Sequence, residues 1–337
     1  MLLSDKNFKK ILIIQTASIG DVILATPVIE KLHANYPEAR IDFVLRAGFE
    51  PLLKGHPHVK AIISWDKNES KYNNLYQILE HVRSERYDLV INLQRFFSTG
   101  LLTLFSGAKV KIGFKKNPLS IWFTKRVGHK IGKKYAGIHE IDRNLALTSF
   151  INDHTRYMPK LYPGKKAYAK ISQYRTRSYI TISPVSIWYT KQFPVEKWIQ
   201  FIDRVPEDYN IYLLGSKQDA QVTAPIIKQT NHPNVLDLSG QLNLQESAAL
   251  IAGAAMNYAN DSAAQHLASA LNAPVTTIYC STVPEFGFGP LSDDRAIIQT
   301  DEALDCRPCG LHGYNKCPKG HFKCANIDID KLLKRLG

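Results

Sequence analysis

Short, wholly apolar runs alternate with amphipathic stretches along most of the chain. The first run, Lys10-Ile-Leu-Ile-Ile-Gln15, is apolar at every interior position and too short for a helix, which predicts a strand buried on both faces. A polar turn over 16–20 leads into a helical pattern over 22–34. Strand-like runs recur at 41–45, 61–65 and 89–93, separated by helical patterns such as 75–86, the βαβα rhythm of a parallel sheet. A Pro/Gly/Lys-rich stretch over 158–166 interrupts this series. A second one follows, with strands at 179–182, 211–214, 256–259 and 275–279 and helices at 195–202, 219–229, 245–252 and 262–271.

The same α/β order therefore occurs twice, with a linker expected near 160–175 and domains over 1–165 and 166–337. Each is expected to be a doubly wound, Rossmann-like sheet. Such sheets bind ligands outside the carboxyl ends of their strands, so the two are expected to face a shared cleft. No apolar run approaches the ~20 residues of a membrane span. Residues 1–10 carry Asp5 and three lysines without the apolar region and cleavage site of a signal peptide, so a cytoplasmic location is expected. The last run, 327–336, reads as an amphipathic helix that could pack back on the first domain.

Charge changes the picture. The formal net charge is +13, and Lys109, Lys111, Lys115, Lys116, Lys125, Arg126, Lys130, Lys133 and Lys134 fall in one stretch without Asp or Glu. Such an asymmetry suits an anionic membrane surface, a phosphorylated substrate or nucleic acid, a plain solvated face being the alternative. Phe114, Trp122, Phe123 and Tyr135 lie nearby, but no nucleic-acid-binding module frames them, which favours membrane or substrate over nucleic acid.

Three loops carry candidate chemistry. Ser18-Ile-Gly20-Asp21, before Val22-Ile-Leu-Ala-Thr26-Pro27, puts a carboxylate at a helix start beyond the first strand, as a cap or as a group aimed at the cleft. In Tyr258-Ala-Asn260-Asp261-Ser262-Ala263-Ala264-Gln265-His266 a strand gives way to a helix whose first N–H groups, at Ser262 and Ala263, could seat a diphosphate. Asp261 and His266 would add side-chain contacts; an ordinary capped helix is the alternative. Ser183-Pro-Val-Ser186-Ile-Trp188-Tyr-Thr-Lys191-Gln-Phe193-Pro194 brings a lysine that could neutralise a departing phosphate. No Gly-x-Gly-x-x-Gly follows the first strand, which argues against a dinucleotide-dependent oxidoreductase.

Together these loops resemble the bacterial lipopolysaccharide heptosyltransferases of glycosyltransferase family nine. The resemblance rests on Gly20, Asp21 and Pro27; on Lys191, Phe193, Pro194 and Trp198; and on Asp261, Ser262 and His266. It extends to His139-Glu-Ile-Asp-Arg143-Asn144-x-x-Leu147 and to Leu214-Gly215-Ser-Lys-Gln-Asp219. It implies the GT-B architecture of two Rossmann-like domains, the first for the acceptor and the second for the nucleotide sugar. The implied reaction is inverting transfer from ADP-heptose to a lipid-linked saccharide at the inner face of the inner membrane, with neither metal nor organic cofactor. By position, Asp21 would be the general base, and Ser18, His139 and Arg143 would contact the acceptor. Ser186, Lys191, Ser262 and Ala263 would hold the diphosphate, Asp219 would lie at the nucleotide, and Asp261 and His266 at the donor sugar. Two positions depart from the pattern: Ala263 stands where glycine is usual, and Gln15 where many relatives have a basic residue. A noncatalytic nucleotide-sugar or polyanion binding protein on the same scaffold is the competing reading.

Cys306, Cys309, Cys317 and Cys324 crowd one segment near His312 and His321, placed outside the three loops. Their spacing admits a structural zinc or packed free thiols.

Overall fold

The protein, seen in a computed structural model, is described over residues 6–336; residues 1–5, part of the amino-terminal reading, and the side chains of Lys71 and Lys133, the latter in the basic stretch, lie outside the described residues. The chain divides into two compact units, 1–131 with 138–162, and 132–137 with 163–337.

The first unit runs β1 (Lys10–Ile14), α1 (Ile19–Asn35), β2 (Arg40–Arg46), β3 (Ala61–Trp65), α2 (Lys71–Glu85), β4 (Leu89–Asn92), α3 (Phe97–Phe105), β5 (Val110–Phe114), β6 (Lys125–Val127) and α4 (Glu140–Leu145). Its strands form a parallel sheet in the order β3-β2-β1-β4-β5-β6. From β1 the sheet grows to one side and then, from β4, to the other, so the strand order reverses between β1 and β4. Leu12, Ile14, Val44, Trp65, Val90 and Leu102 fill the core between this sheet and its helices. Helix α1 buries residues along most of its circumference, as an element sandwiched against a sheet must. Pro27 inside α1 lacks the N–H that would reach Ile23, and the Thr26 hydroxyl donates to that carbonyl instead, at 2.7 Å.

The second unit runs α5 (Lys165–Ile171), β7 (Tyr179–Ser183), α6 (Val195–Ile202), β8 (Asn210–Leu213), α7 (Ala220–Gln229), β9 (Val235–Asp237), α8 (Leu244–Ala252), β10 (Met256–Asn260), α9 (Ala263–Ala270), β11 (Val275–Tyr279), β12 (Arg295–Gln299) and α10 (Asp330–Leu333). Its parallel sheet, β12-β11-β10-β7-β8-β9, repeats the same winding, with the reversal between β7 and β10. Both units are thus Rossmann-like, as expected. The structure corrects two expectations here. Within the linker expected over 160–175 the chain passes from the first unit to the second between Tyr162 and Pro163, and seven of the residues that follow form helix α5, whose Ala167 and Ile171 are buried in the second unit. The closing helix is a single turn rather than the whole of 327–336. Its Leu332 joins the second unit's own core, where the carbonyl of Leu332 accepts from the Tyr258 hydroxyl at 2.9 Å. That bond and the apolar contacts of Ile327 and Ile329 fix it to this unit. Among the described residues no helix is long and apolar enough to cross a membrane.

Candidate active site

In an open α/β sheet the crevice forms where strand order reverses, because the loops leaving the two central strands there turn apart. In the second unit those loops follow β7 and β10, and they hold most of the polar residues singled out in the sequence. Asn260, fully buried at the end of β10, ties the two together: its amide donates to Pro184 O at 2.6 Å and its carbonyl accepts from Phe193 N at 3.0 Å. The loop after β7 is therefore pinned at both ends against β10. Lys191, in a single turn of 3₁₀ helix over Tyr189–Lys191, consequently meets Asp261, with Nζ 2.7 Å from Oδ2 and only 14% and 8% of the two side chains exposed. Asp261 accepts further bonds from the Thr282 hydroxyl at 2.6 Å and from Gln265 Nε2 at 3.0 Å. The Asp261 carboxylate, expected at the donor sugar, is thus engaged by three side chains of the chain itself, Lys191 among them. Ser186 joins the same knot by donating to Asp261 O at 3.2 Å.

Helix α9 starts beside this pair. Its cap residue Ser262 is extended, and the Ser262 hydroxyl makes no capping bond. A first helical turn has no internal partners for its N–H groups, and Ser262, Ala263 and Ala264 are partly open to solvent, so this end of α9 is suited to an anion. His266 lies buried one turn further on. Gln265, which the sequence reading passed over, relays Asp261 to Tyr279: the Tyr279 hydroxyl donates to Gln265 Oε1 at 3.1 Å and lies 3.0 Å from Phe288 O. Burial, with the nearby Asp261 charge, holds that hydroxyl protonated far above its ordinary range. Asp219 is further off, closing a capping box in which Ser216 N and Oγ both donate to its carboxylate, at 2.7 and 2.9 Å.

The cysteine segment lies outside the three loops, as expected, but is bonded to one of them. Thr190 N donates to Tyr314 O at 3.0 Å, and Thr190 Oγ1 accepts from Tyr314 N at 2.8 Å. Ser281 bridges the two, donating from its hydroxyl to Thr190 Oγ1 while its carbonyl accepts from Cys309 N. Arg307 fastens the segment to the end of β11 through the carbonyls of Tyr279, Cys280 and Thr282. The cysteines are free thiols. Burial, reinforced by the neighbouring thiols, pushes Cys324 up to about 11. Cys317 is lowered, since the N–H groups of Phe322, Lys319, Gly320 and His321 outweigh the burial that opposes them. Among the described residues no group of three or more His, Cys, Asp or Glu side chains is placed to hold a metal ion. What the geometry shows for the segment is a buttress under the turn that carries Lys191.

In the first unit the reversal lies between β1 and β4. Ser18 caps α1 and donates to Asp21 Oδ2 from both its hydroxyl, at 2.6 Å, and its N–H, at 3.2 Å. Asp21 is thus part of a capping box and is partly exposed at the crest of the sheet. Gln15 and Gln94, at the ends of the two central strands, are buried and bonded to each other through their amides. His139 and Arg143, expected at the acceptor, are buried, 8% and 2% exposed. His139 caps α4 by accepting from Ile141 N, and Arg143 binds Glu140 at 2.8 Å and Lys130 O at 2.6 Å. Glu140 also meets His129 at 3.0 Å; burial alone would raise its carboxyl, but His129 and Arg143 hold it below its ordinary value. Asn144 reaches Leu24 O inside α1 at 2.9 Å, so this motif fastens α4 to α1.

Comparison with known proteins agrees with this arrangement. A 279-residue match to lipopolysaccharide heptosyltransferase 3 of Escherichia coli is 26% identical and covers 78% of this chain and 81% of that one. Lipopolysaccharide heptosyltransferase 2 of E. coli K12 is 25% identical, covering 97% of each chain. Among solved structures, that of E. coli ADP-heptose LPS heptosyltransferase II superposes with a TM-score of 0.80 over 97% of each chain at 23% identity, a likeness of fold. The sequence model of glycosyltransferase family 9 (heptosyltransferase) matches residues 75–312, about half of the first unit and most of the second, and the chain belongs to that family of glycosyltransferases.

Proposed function

We propose that this enzyme moves a heptose from ADP-heptose onto the inner core of a lipopolysaccharide, or a related lipid-linked saccharide, with inversion at the anomeric carbon and without a metal. The observation that carries the reading is the Lys191–Asp261 pair beside the start of α9, because a departing nucleoside diphosphate needs fixed positive charge and free N–H groups at one place. The sugar is supported by the two E. coli relatives, both lipopolysaccharide heptosyltransferases, and the nucleotide by the solved E. coli enzyme, an ADP-heptose LPS heptosyltransferase. In this reading the second unit binds the donor. Lys191, Ser186 and the N–H groups of Ser262 and Ala263 take the diphosphate, Asp261 positions Lys191, and Asp219 and His266 border the nucleotide and the sugar. The first unit binds the acceptor around Ser18. Asp21 removes the proton from the acceptor hydroxyl as its oxygen bonds to the anomeric carbon. The bond to the ADP oxygen breaks on the opposite face, and Ser18 orients the Asp21 carboxylate. In this reading the enzyme works in the cytoplasm and meets its lipid-linked acceptor at the inner face of the inner membrane.

The test is ADP release from ADP-heptose with heptose-deficient lipopolysaccharide core as acceptor, comparing wild type with Asp21→Asn. A general base contributes about 10²- to 10⁴-fold, so the variant should lose that much turnover while retaining donor binding. Donor binding without acceptor-dependent release in the wild type would instead indicate a nucleotide-sugar binding protein.

A further inference from the structure

Between Asp88 and Glu140 the sequence contains no acidic residue, while Arg95, Lys109, Lys111, Lys115, Lys116, Lys125, Arg126 and Lys130 of the first unit fall within that span. The same span exposes five large apolar side chains: Phe96, Phe97, Phe105, Ile121 and Trp122. Apolar side chains scattered singly over a surface mean nothing, but these are linked. The Ser120 hydroxyl donates to Lys115 O at 3.2 Å, fixing the 3₁₀ turn Ser120–Trp122 against the Lys115–Lys116 pair. Asn117, buried between them, donates to Phe96 O at 3.0 Å and Gln94 O at 3.1 Å, joining that turn to the start of α3. Helix α3 buries Thr99, Gly100, Leu102 and Thr103 and leaves Phe97, Leu101 and Phe105, at i, i+4 and i+8, on its outer side. Ile121 and Trp122 are 61% and 58% exposed, next to Lys115, Lys116 and Arg126, which are also exposed.

We propose that this face of the first unit docks on an anionic bilayer, Ile121, Trp122 and Phe97 entering the headgroup region while Lys115, Lys116 and Arg126 meet lipid phosphates. Exposed apolar side chains interleaved with lysine and arginine along a span without Asp or Glu match a surface that is negative outside and apolar beneath. Tryptophan favours that boundary because its ring is amphipathic. The face borders the crest of the sheet, since Phe96 follows Gln94 by two residues at the end of β4. It would therefore bring a lipid-linked acceptor to that crest, and to that extent it rests on the function proposed above.

The test is flotation of the full chain with vesicles of phosphatidylethanolamine and phosphatidylglycerol, against vesicles of phosphatidylcholine alone. Wild type should float with the anionic vesicles only, less so in high salt, because the Debye length falls from about 8 Å at physiological ionic strength to about 3 Å at 1 M. Ile121→Ser with Trp122→Ser should weaken binding about tenfold or more, as loss of inserted apolar area requires, and Lys115→Glu with Lys116→Glu should abolish it. Flotation of the Ile121/Trp122 variant equal to wild type would overturn the proposal. So would salt-sensitive binding to an oligonucleotide in place of vesicles, which would mark a nucleic-acid surface. ADP release with delipidated core saccharide separates the two claims: equal rates in wild type and variant support a docking role. Silence in both would count against the proposed function and leave the flotation result standing.

Discussion

Lys191 is held by a carboxylate that is itself held. Thr282 and Gln265 fix the two oxygens of Asp261, and Gln265 is fixed in turn by Tyr279, so the ammonium group is positioned by a chain of buried bonds. Removing one partner of a buried pair leaves an uncompensated charge and costs about 3–5 kcal/mol, whereas removing both is far milder. Asp261→Asn and Lys191→Met are each expected to lower stability to urea by that order, and the double variant to recover most of it. Turnover should not recover: without the lysine, loss of one fixed group facing the leaving diphosphate costs about 10²- to 10³-fold in kcat. A double variant as unstable as the singles would show that the pair does not hold this crest together.

The 3₁₀ turn carrying Lys191 is an element too short to hold its own shape, and the segment around Cys309–Tyr314 holds it from beneath. Gly313 is where the two approach most closely. Its φ is +78°, and a Cβ there would lie 2.9 Å from Thr190 Oγ1 and 3.3 Å from Lys191 Cγ. Gly310 has nearly the same φ, +75°, but a Cβ on it would meet only the Tyr314 hydroxyl, at 3.8 Å. Alanine at either site carries the left-handed penalty of about 1–2 kcal/mol. Only Gly313→Ala should also displace Lys191. Gly310→Ala should lose melting temperature by the left-handed penalty alone, and Gly313→Ala by more, with a rise in donor KM confined to Gly313→Ala; equal KM values would rule out the buttress.

Legibility followed the same physics. Central strands such as β1 and β10 are buried on both faces and read as unbroken apolar runs. Three of the four edge strands, β6, β9 and β12, are partly exposed, and β5 is broken by Lys111 and Gly113; none of these carried a pattern to read, whereas the edge strand β3 did, through the apolar run that ends on buried Trp65. At the site, Lys191 and Asp261 were visible as a lysine loop and a strand-to-helix junction. Thr190, Ser281, Thr282 and Arg307 were not, because their partners lie far along the chain and a hydroxyl beside a strand end has no local signature. The burial of His139 and Arg143 was hidden for the same reason: the cap and the ion pair they enter appear only once α4 is folded.

At the scale of the whole molecule, two units of the same winding carry different polar side chains at the same place, and the first also carries a titration built into its core. Glu30 lies in α1 among His56, His58, Tyr162 and Lys160, and His33 stacks on His58 with ring centres 3.7 Å apart. Burial, then the neighbouring His58 and His33, lowers the His56 pKa from 6.5 to about 4. The folded state therefore binds fewer protons than the unfolded chain between those values. Stability is full above pH 6.5 and is lost as pH falls toward 4. By linkage this single group removes about 2 kcal/mol by pH 5. Glu140, held below its ordinary value, acts in the same direction at lower pH. Urea unfolding at pH 7.5 and pH 5 should show a loss of at least that order in the wild type, and His56→Gln should flatten most of it despite a lower stability at pH 7.5. An unchanged slope in the variant would move the acid sensitivity to the carboxylates. The distinction matters for Tyr162, at the end of the first unit, whose hydroxyl rests on Glu30 at 3.0 Å and would share the fate of that cluster.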